Sequence, residues 1–218
     1  EVRKSLCPDK INTSQWLEVM KTAHQVGFKT TATIMYGHVE TPIHWANHLT
    51  EVRNLQLQTG GFTEFVPLPY VPMEAPMYLK GKSRRGPSFR EAILMHSVSR
   101  IAFKGLINNI QTSWVKMGQE GVQACLNAGA NDIGGTLMNE SITRAAGADH
   151  GQEWHPQGIE ETIISMGRKP KMRTTSYDEA PQSRRELAFR ASTLTQIENT
   201  AAAKLQRSKK LDNIAQVL

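Results

Sequence analysis

Apolar positions along the chain follow two alternating rhythms. Trp16, Leu17, Met20 and Ala23 recur at helical spacing, with Thr13 or Ser14 able to cap and Gly27 able to stop, so 13–26 predicts a helix. Residues 29–38 (KTTATIMYGH) are rich in β-branched side chains and predict a strand. Pro42 opens a second helix with Trp45, Leu49 and Val52 on one face, ended by Gly60-Gly61. Residues 62–68 (FTEFVPL) predict the next strand, followed by a connection carrying Pro67, Pro69, Pro72 and Pro76. Ser88 caps a long helix to about residue 103. A third strand is expected at 110–115 (IQTSWV), a short helix at 118–128, a fourth strand at 132–138 (DIGGTLM) and a helix at 156–166.

Strands separated by helices need crossover connections, which produce a parallel sheet. The pattern therefore predicts an α/β fold and part of a (β/α)8 barrel, whose whole form takes about 250 residues. A doubly wound open sheet is the alternative, but no Gly-x-Gly-x-x-Gly follows an expected strand. Residues 182–218 contain no Gly or Pro and place Leu187, Leu194, Ile197, Ala201 and Leu205 on a helical stripe that Leu211, Ile214 and Leu218 extend. Two parts are expected: a body over 1–177 and a basic amphipathic helical tail over 178–218.

Charge sharpens that division. The net charge of +6 comes from 26 Lys and Arg against 20 Asp and Glu, and residues 1–167 balance, so the excess lies in the C-terminal quarter. A nucleic-acid partner for the body does not follow from such a distribution. No apolar run reaches the roughly 18 residues that cross a bilayer, so no membrane partner is expected. The sequence opens Glu1-Val2-Arg3-Lys4 without a signal-peptide core, and the expectation is a cytoplasmic chain cut from something longer. Two cysteines, Cys7 and Cys125, cannot build a disulfide scaffold or a Cys-rich metal site by themselves. His44 and His48 stand at i, i+4 but have no third ligand at metal-site spacing, so surface histidines and no metal site are expected.

In barrels the reacting groups gather where strands end, which directs attention to strand-end polar residues. Tyr36, His38 and Glu40 share parity around Gly37, and read equally as a ligand site or as a turn before Pro42. Glu64 lies inside an apolar strand and needs an ion pair or a polar cavity. Gln111 and Ser113 would share one face of the third strand, suited to hydrogen bonding a polar ligand, with Trp114 packing on the other. Asn139 and Glu140 follow the fourth strand and could orient a substrate, or Glu140 could cap a helix or pair with Arg144. His150 and His155 flank a loop that reads as a lid or connector.

Taken together, CPDKINT (7–13), TTATIMYGHVET (30–41), GGFTEFVPLP (60–69), NIQTSWVKMG (109–118) and AGANDIGGTLMNESITRAAGADHGQE (128–153) resemble a known family. It is the tyrosine-using half of the FO synthase family, the 5-amino-6-(D-ribitylamino)uracil–L-tyrosine 4-hydroxyphenyl transferases, within the radical S-adenosylmethionine enzymes. The resemblance covers about residues 1–177 and implies the C-terminal half of a (β/α)8 radical-SAM-type barrel. It implies a 4Fe-4S cluster that cleaves S-adenosylmethionine to a radical acting on tyrosine. A 4-hydroxybenzyl group is then joined to 5-amino-6-(D-ribitylamino)uracil on the way to the 8-hydroxy-5-deazaflavin chromophore. The family's Cys-x-x-x-Cys-x-x-Cys loop is absent, so the cluster ligands are expected upstream and the chain alone is expected to be inactive. The implied partner is the N-terminal half, or a fused cyclising half of FO synthase.

Thr33-x-Met35-x-Gly37-x-x-Glu40 is similar to a strand motif, Gly-x-Ile-x-Gly-x-x-Glu, found near the adenosyl group in such enzymes, with Thr33 and Met35 as replacements. The resemblance thus implies Tyr36, His38 and Glu40 on the S-adenosylmethionine side, and Glu64, Gln111, Ser113, Asn139 and Glu140 for the polar substrates. Two other readings stay open. One is a sister enzyme such as the radical aminofutalosine synthase. The other is a non-catalytic fragment whose basic tail binds an acidic partner or nucleic acid, although a solvated helical face is the expected explanation of its charges.

Overall fold

The computed structural model describes residues 1–195. The elements run α1 (Val2–Leu6), α2 (Thr13–Gln25), β1 (Thr30–Tyr36), α3 (Pro42–Thr59), β2 (Phe62–Pro69), α4 (Pro76–Leu79), α5 (Phe89–Ala102), β3 (Asn109–Ile110), α6 (Trp114–Asn127), α7 (Ile142–Ala145), α8 (Pro156–Ser165) and α9 (Gln182–Arg190). The strands form one parallel sheet in the order β1-β2-β3. Thr31 stands opposite Glu64, Tyr36 opposite Pro69 and Phe65 opposite Ile110.

Alternation along β1 decides what each face does. Ala32, Ile34 and Tyr36 are buried, whereas Thr31, Thr33 and Met35 are exposed. The buried set joins Phe65, Ile110, Trp45, Leu49 and Met95 in one core, so α3 and α5 cover that face of the sheet. The opposite face carries Thr31, Thr33, Met35 and Glu64. A second core under α6 and α8 gathers Trp114, Val122, Cys125 and Leu126 with Trp154 and Ile163. The result is a mixed α/β fold on a parallel sheet; closure into a barrel is not observed among the described residues.

The helices begin and end for local reasons. Asn12, rather than Thr13 or Ser14, caps α2: its side chain accepts from the Gln15 N–H at 2.9 Å while the Gln15 side chain accepts from the Asn12 N–H at 2.9 Å. Pro42 begins α3, and Gly60 ends it in the left-handed region at φ 60°. Ser88 and Glu91 form the same reciprocal cap on α5.

Two expected strands are corrected. The third strand is only Asn109–Ile110, because the backbone turns helical at Trp114 and the Ser113 carbonyl accepts from the Lys116 and Met117 N–H groups. Ser113 therefore stands at the N-cap position of α6, without a side-chain capping bond, instead of sharing a strand face with Gln111. Gly118, expected near a helix start, lies inside α6 as a kink at φ 65°. The fourth strand reduces to a single bridge between Gln111 and Asp132. Gly134, Gly135, Leu137 and Asn139 all have positive φ, which an extended strand does not tolerate. Of the expected tail stripe, Ile197, Ala201, Leu205, Leu211, Ile214 and Leu218 lie outside the described residues.

Candidate functional site

The first cluster forms where β1 ends. The strand stops at Tyr36 and Gly37 takes φ 97°, so Tyr36, His38 and Glu40 do not share an orientation. Tyr36 turns into the helix-facing core, fully buried and edge-on to Trp45 with ring centroids 5.7 Å apart. The Glu40 carboxylate folds back to accept from the Gly37 N–H, the His38 N–H at 2.8 Å and Trp45 Nε1 at 3.0 Å. Burial raises its pKa, but hydrogen bonds from His38, Gly37 and Trp45 outweigh this and hold it well below the usual carboxylate range. His38 is buried beside it, with Nε2 3.0 Å from the Met35 carbonyl. Residues 83–88 cover this turn: the Arg84 N–H donates to the His38 carbonyl at 2.9 Å. The Arg84 guanidinium bridges Glu40 at 3.3 Å and Glu91 at 2.7 Å.

The second cluster lies on the uncovered face of the sheet, near the beginning of β2. Glu64 accepts from Thr31 Oγ1 at 2.9 Å and from Gln111 Nε2 at 3.0 Å. It also meets Arg173 at 3.5 Å and accepts from the Tyr177 hydroxyl. Arg173 pairs with Asp132 and stacks over the Tyr177 ring at 4.0 Å. No sequence pattern singles out Asp132, Arg173 or Tyr177. Arg173 and Tyr177 stand more than 100 positions from Glu64 in sequence, as their contacts record, and no local pattern marks such a pairing. Burial and the bond to Glu64 push the Tyr177 hydroxyl far above its ordinary value.

The third region is a cleft of about 280 Å³ beyond the C-terminal ends of β2 and β3. Its walls come from residues 69–73, the start of α5, the first turn of α6 and residues 148–150. Lys116, Arg85 and Asp149 reach it, with Met73, Phe89 and Met117 supplying apolar surface. Lys116 is half-buried and donates to Thr143 Oγ1 at 3.3 Å. Desolvation lowers its pKa, while Glu140 acts the other way. Glu140 caps α7, its carboxylate accepting from the Thr143 N–H at 3.0 and 3.1 Å, and its carbonyl accepts from Arg144 Nε at 2.8 Å. Asn139 accepts from the same arginine at 3.0 Å.

Thus the structure joins Glu64 to Gln111, His38 to Glu40, and Asn139 to Glu140, and sets Ser113 apart, buried at the N-cap position of α6. His44 bonds to Thr41 and His48 is half-buried against Phe65, so His48 is not the surface histidine expected. Neither cysteine suits an iron–sulfur cluster. Cys125 is fully buried, and its burial pushes the thiol up to about 11. Cys7 is only partly buried but has no companion: among the described residues no three His, Cys, Asp or Glu side chains could hold a metal ion.

A family model described as the CofH/MqnC C-terminal region matches residues 59–187, past the expected boundary at 177. The 5-amino-6-(D-ribitylamino)uracil–L-tyrosine 4-hydroxyphenyl transferase of Methanocaldococcus jannaschii is 50% identical over 177 residues, covering 81% of this chain and 49% of that protein. The transferase of the same name from Methanopyrus kandleri is 49% identical over 178 residues, 82% of this chain and 48% of its own. The FO synthase of Mycobacterium leprae is 49% identical over 177 residues, 81% of this chain and 20% of its own. The chain spans about half the length of the two transferases.

Proposed function

The chain belongs to the family of the CofH/MqnC C-terminal region, and from that premise we propose that it is the C-terminal part of a transferase acting on tyrosine. The whole enzyme would be a radical S-adenosylmethionine enzyme of deazaflavin synthesis. It would join the 4-hydroxybenzyl group of L-tyrosine to 5-amino-6-(D-ribitylamino)uracil. The observation that carries the reading is identity of about half over four-fifths of this chain with proteins named for that transfer.

In this reading the parallel sheet is half of a (β/α)8 barrel over residues 1–177, with 178–218 as its tail. The face bearing Thr31, Thr33, Met35 and Glu64 then looks inward. The 4Fe-4S cluster needs thiolates that this chain does not group, so an upstream half would supply them. Bound S-adenosylmethionine would supply the radical that opens the tyrosine side chain.

What this chain contributes is position and enclosure. The turn after β1 stands on the S-adenosylmethionine side. Glu40 fixes that turn by holding two consecutive amides, which makes it a positioning residue, and His38 stays beside it. The cleft beyond β2 and β3 supplies a dry wall and fixed donors for a substrate, excluding water from a reactive intermediate. Asn139 and Glu140 set the loop over that cleft through Arg144 and Thr143, and Ser113 sets the first turn of α6. Glu64, held by Thr31, Gln111, Arg173 and Tyr177 near the beginning of β2, would brace the sheet at the end away from that cleft.

The test is completion. The chain is joined to an N-terminal half carrying a Cys-x-x-x-Cys-x-x-Cys loop, loaded with cluster, and supplied with S-adenosylmethionine, tyrosine and the diaminouracil. The 4-hydroxybenzyl adduct should form, and omission of the diaminouracil should abolish it. A folded, cluster-loaded protein that makes no adduct overturns the reading. Product formation from an aminofutalosine precursor instead would assign the sister activity.

A further inference from the structure

The described arginines that sit half-buried are committed to protein acceptors. Arg84 grips Glu91 and Glu40, Arg100 donates to the Gly129 and Asn108 carbonyls, and Arg173 pairs with Asp132. The cations that reach the cleft beyond β2 and β3 are different. Arg85 stands next to Arg84 in sequence but is exposed, and among the described residues none accepts a hydrogen bond from its guanidinium or pairs with it. Lys116 uses one of its three ammonium donors, on the Thr143 hydroxyl, and has no carboxylate within ion-pairing distance among the described residues. Glu140, whose charge acts on it, makes no ion pair with it and holds the Thr143 N–H. Asp149 lines the same cleft and likewise has no partner among the described residues. Two cations without an ion-pair partner among the described residues, Lys116 half-buried and Arg85 exposed, and the exposed Asp149 carboxylate thus face a single cleft.

We propose that this cleft binds the zwitterionic end of an aromatic amino acid, with Arg85 and Lys116 taking the carboxylate and Asp149 the ammonium group. The amino acid would be tyrosine, a choice that rests on the transferase reading; the charge pattern does not depend on it. Three features select this ligand. Met73, Phe89 and Met117 give the cleft apolar walls against which an aromatic ring is favourable. The cleft, of about 280 Å³, is large enough to admit an amino acid. Asp149 disfavours a phosphate dianion, which the two cations alone would accept, and it gives an ammonium group its partner. Thr143, fixed by Glu140, holds the Lys116 ammonium in place, so Glu140 serves the site as a positioning residue.

The experiment uses the completed enzyme and begins without substitutions. Affinities are measured for L-tyrosine, tyramine, 3-(4-hydroxyphenyl)propionate and inorganic phosphate. Tyrosine should bind about tenfold or more tighter than either analogue lacking one charge, because each charged hydrogen bond lost costs about that much. Tyrosine, but not tyramine, should protect Lys116 from reductive methylation, read by peptide mass spectrometry. Lys116→Met and Arg85→Gln should each weaken tyrosine by about tenfold and leave tyramine unchanged, whereas Lys116→Arg restores most of the affinity. Asp149→Asn should weaken tyrosine but not the propionate. Equal affinity for tyrosine and tyramine, equal protection of Lys116 by both, or phosphate binding tighter than tyrosine would each overturn the proposal. The two readings fail separately. Binding of this kind without adduct formation removes the transfer reaction and leaves the site. Adduct formation with tyrosine affinity and KM unmoved by Lys116→Met and Arg85→Gln removes the site and leaves the reaction.

Discussion

Glu64 is set inside an apolar strand, where a lone carboxylate is costly, and donors from Thr31, Gln111, Arg173 and Tyr177 meet that cost. It lies near the beginning of β2, away from the strand ends beyond which the cleft opens. Glu64→Leu is therefore expected to lower the urea-unfolding free energy by about 2–4 kcal/mol, because it leaves Arg173 and the Tyr177 hydroxyl short of an acceptor. Tyr177→Phe should cost about 1 kcal/mol, with substrate KM in the completed enzyme unchanged by either variant. A large KM effect without loss of stability would instead make Glu64 a substrate ligand. The pH dependence of stability rests on other residues. The folded His48 imidazole is driven by burial from 6.5 down to about 4, and burial lowers His24 and His96 as well. The unfolded chain then binds protons that the fold does not, so stability is full above pH 6.5 and falls as pH drops towards 4. Glu40 and Glu91 have folded values below the ordinary 4.5, so their stabilisation is present above that pH and lost below it. Unfolding free energies measured from pH 8 to 3 should fall in both windows. His48→Leu should flatten the upper window, and Glu40→Gln should flatten the lower one.

At the scale of elements, the helices were legible because their signals are local. Pro42, Ser88 and Gly60 act within a turn of where they stand, and the apolar spacing of α3 and α5 needs no distant partner. The strands were legible only where a full alternation exists. Six residues of mixed type from Ile110 to Val115 satisfy a strand rule as well as a helix start, and packing of Trp114 and Val115 into the second core decides for the helix. The 132–138 segment has strand-forming ends, but Gly134 sits where a Cβ would meet Gln111 Oε1 at 2.7 Å, and its positive φ turns the chain away. The candidate site is legible in the same partial way: Glu40 and Glu140 stand out in the sequence as polar residues after expected strands, and of the roles open to them both hold backbone amides. Lys116 escaped notice because an isolated lysine carries no pattern until α6, α7 and the 148–150 loop surround it. Two glycines test this reading of the turns. Gly37→Ala would push a Cβ to 2.3 Å from the Pro87 nitrogen at φ 97°, and Gly118→Ala would meet His150 Nδ1 at 2.8 Å at φ 65°. Each should lower the melting temperature, by an amount equivalent to about 1–3 kcal/mol. Gly37→Ala should also expose residues 83–88 to limited proteolysis, whereas Gly129→Ala, away from that cover, should not.

The whole molecule is shaped by what its sheet leaves uncovered. Helices occupy one face, while Thr31, Thr33 and Met35 stand exposed on the other, and Met35 alone is 47% accessible. On its outer side β1 has no strand partner among the described residues, so a row of backbone donors and acceptors in a seven-residue strand faces outward. Such an edge pairs readily with another chain. The C-terminal segment compensates only at the opposite end, where Arg173 and Tyr177 reach Glu64 and Asp132, and where Arg185 binds Glu160 at 2.7 Å. This changes the meaning of the basic excess: part of it neutralises acids of the body, and a helix as long as α9 is docked on α8 through it. The 218-residue chain by itself should therefore associate through β1, with sedimentation velocity giving a mass that rises with concentration. Joined to an N-terminal half that supplies the missing strands, it should unfold cooperatively and its mass should no longer depend on concentration. Thr33→Lys with Met35→Lys should suppress association of the isolated chain by charging the exposed face, and should impair the joined protein, where the same face is enclosed. If the isolated chain is a monomer at high concentration, or if the double variant leaves the joined protein as stable as before, the uncovered face of β1 is a finished surface and the half-barrel reading of the sheet fails with it.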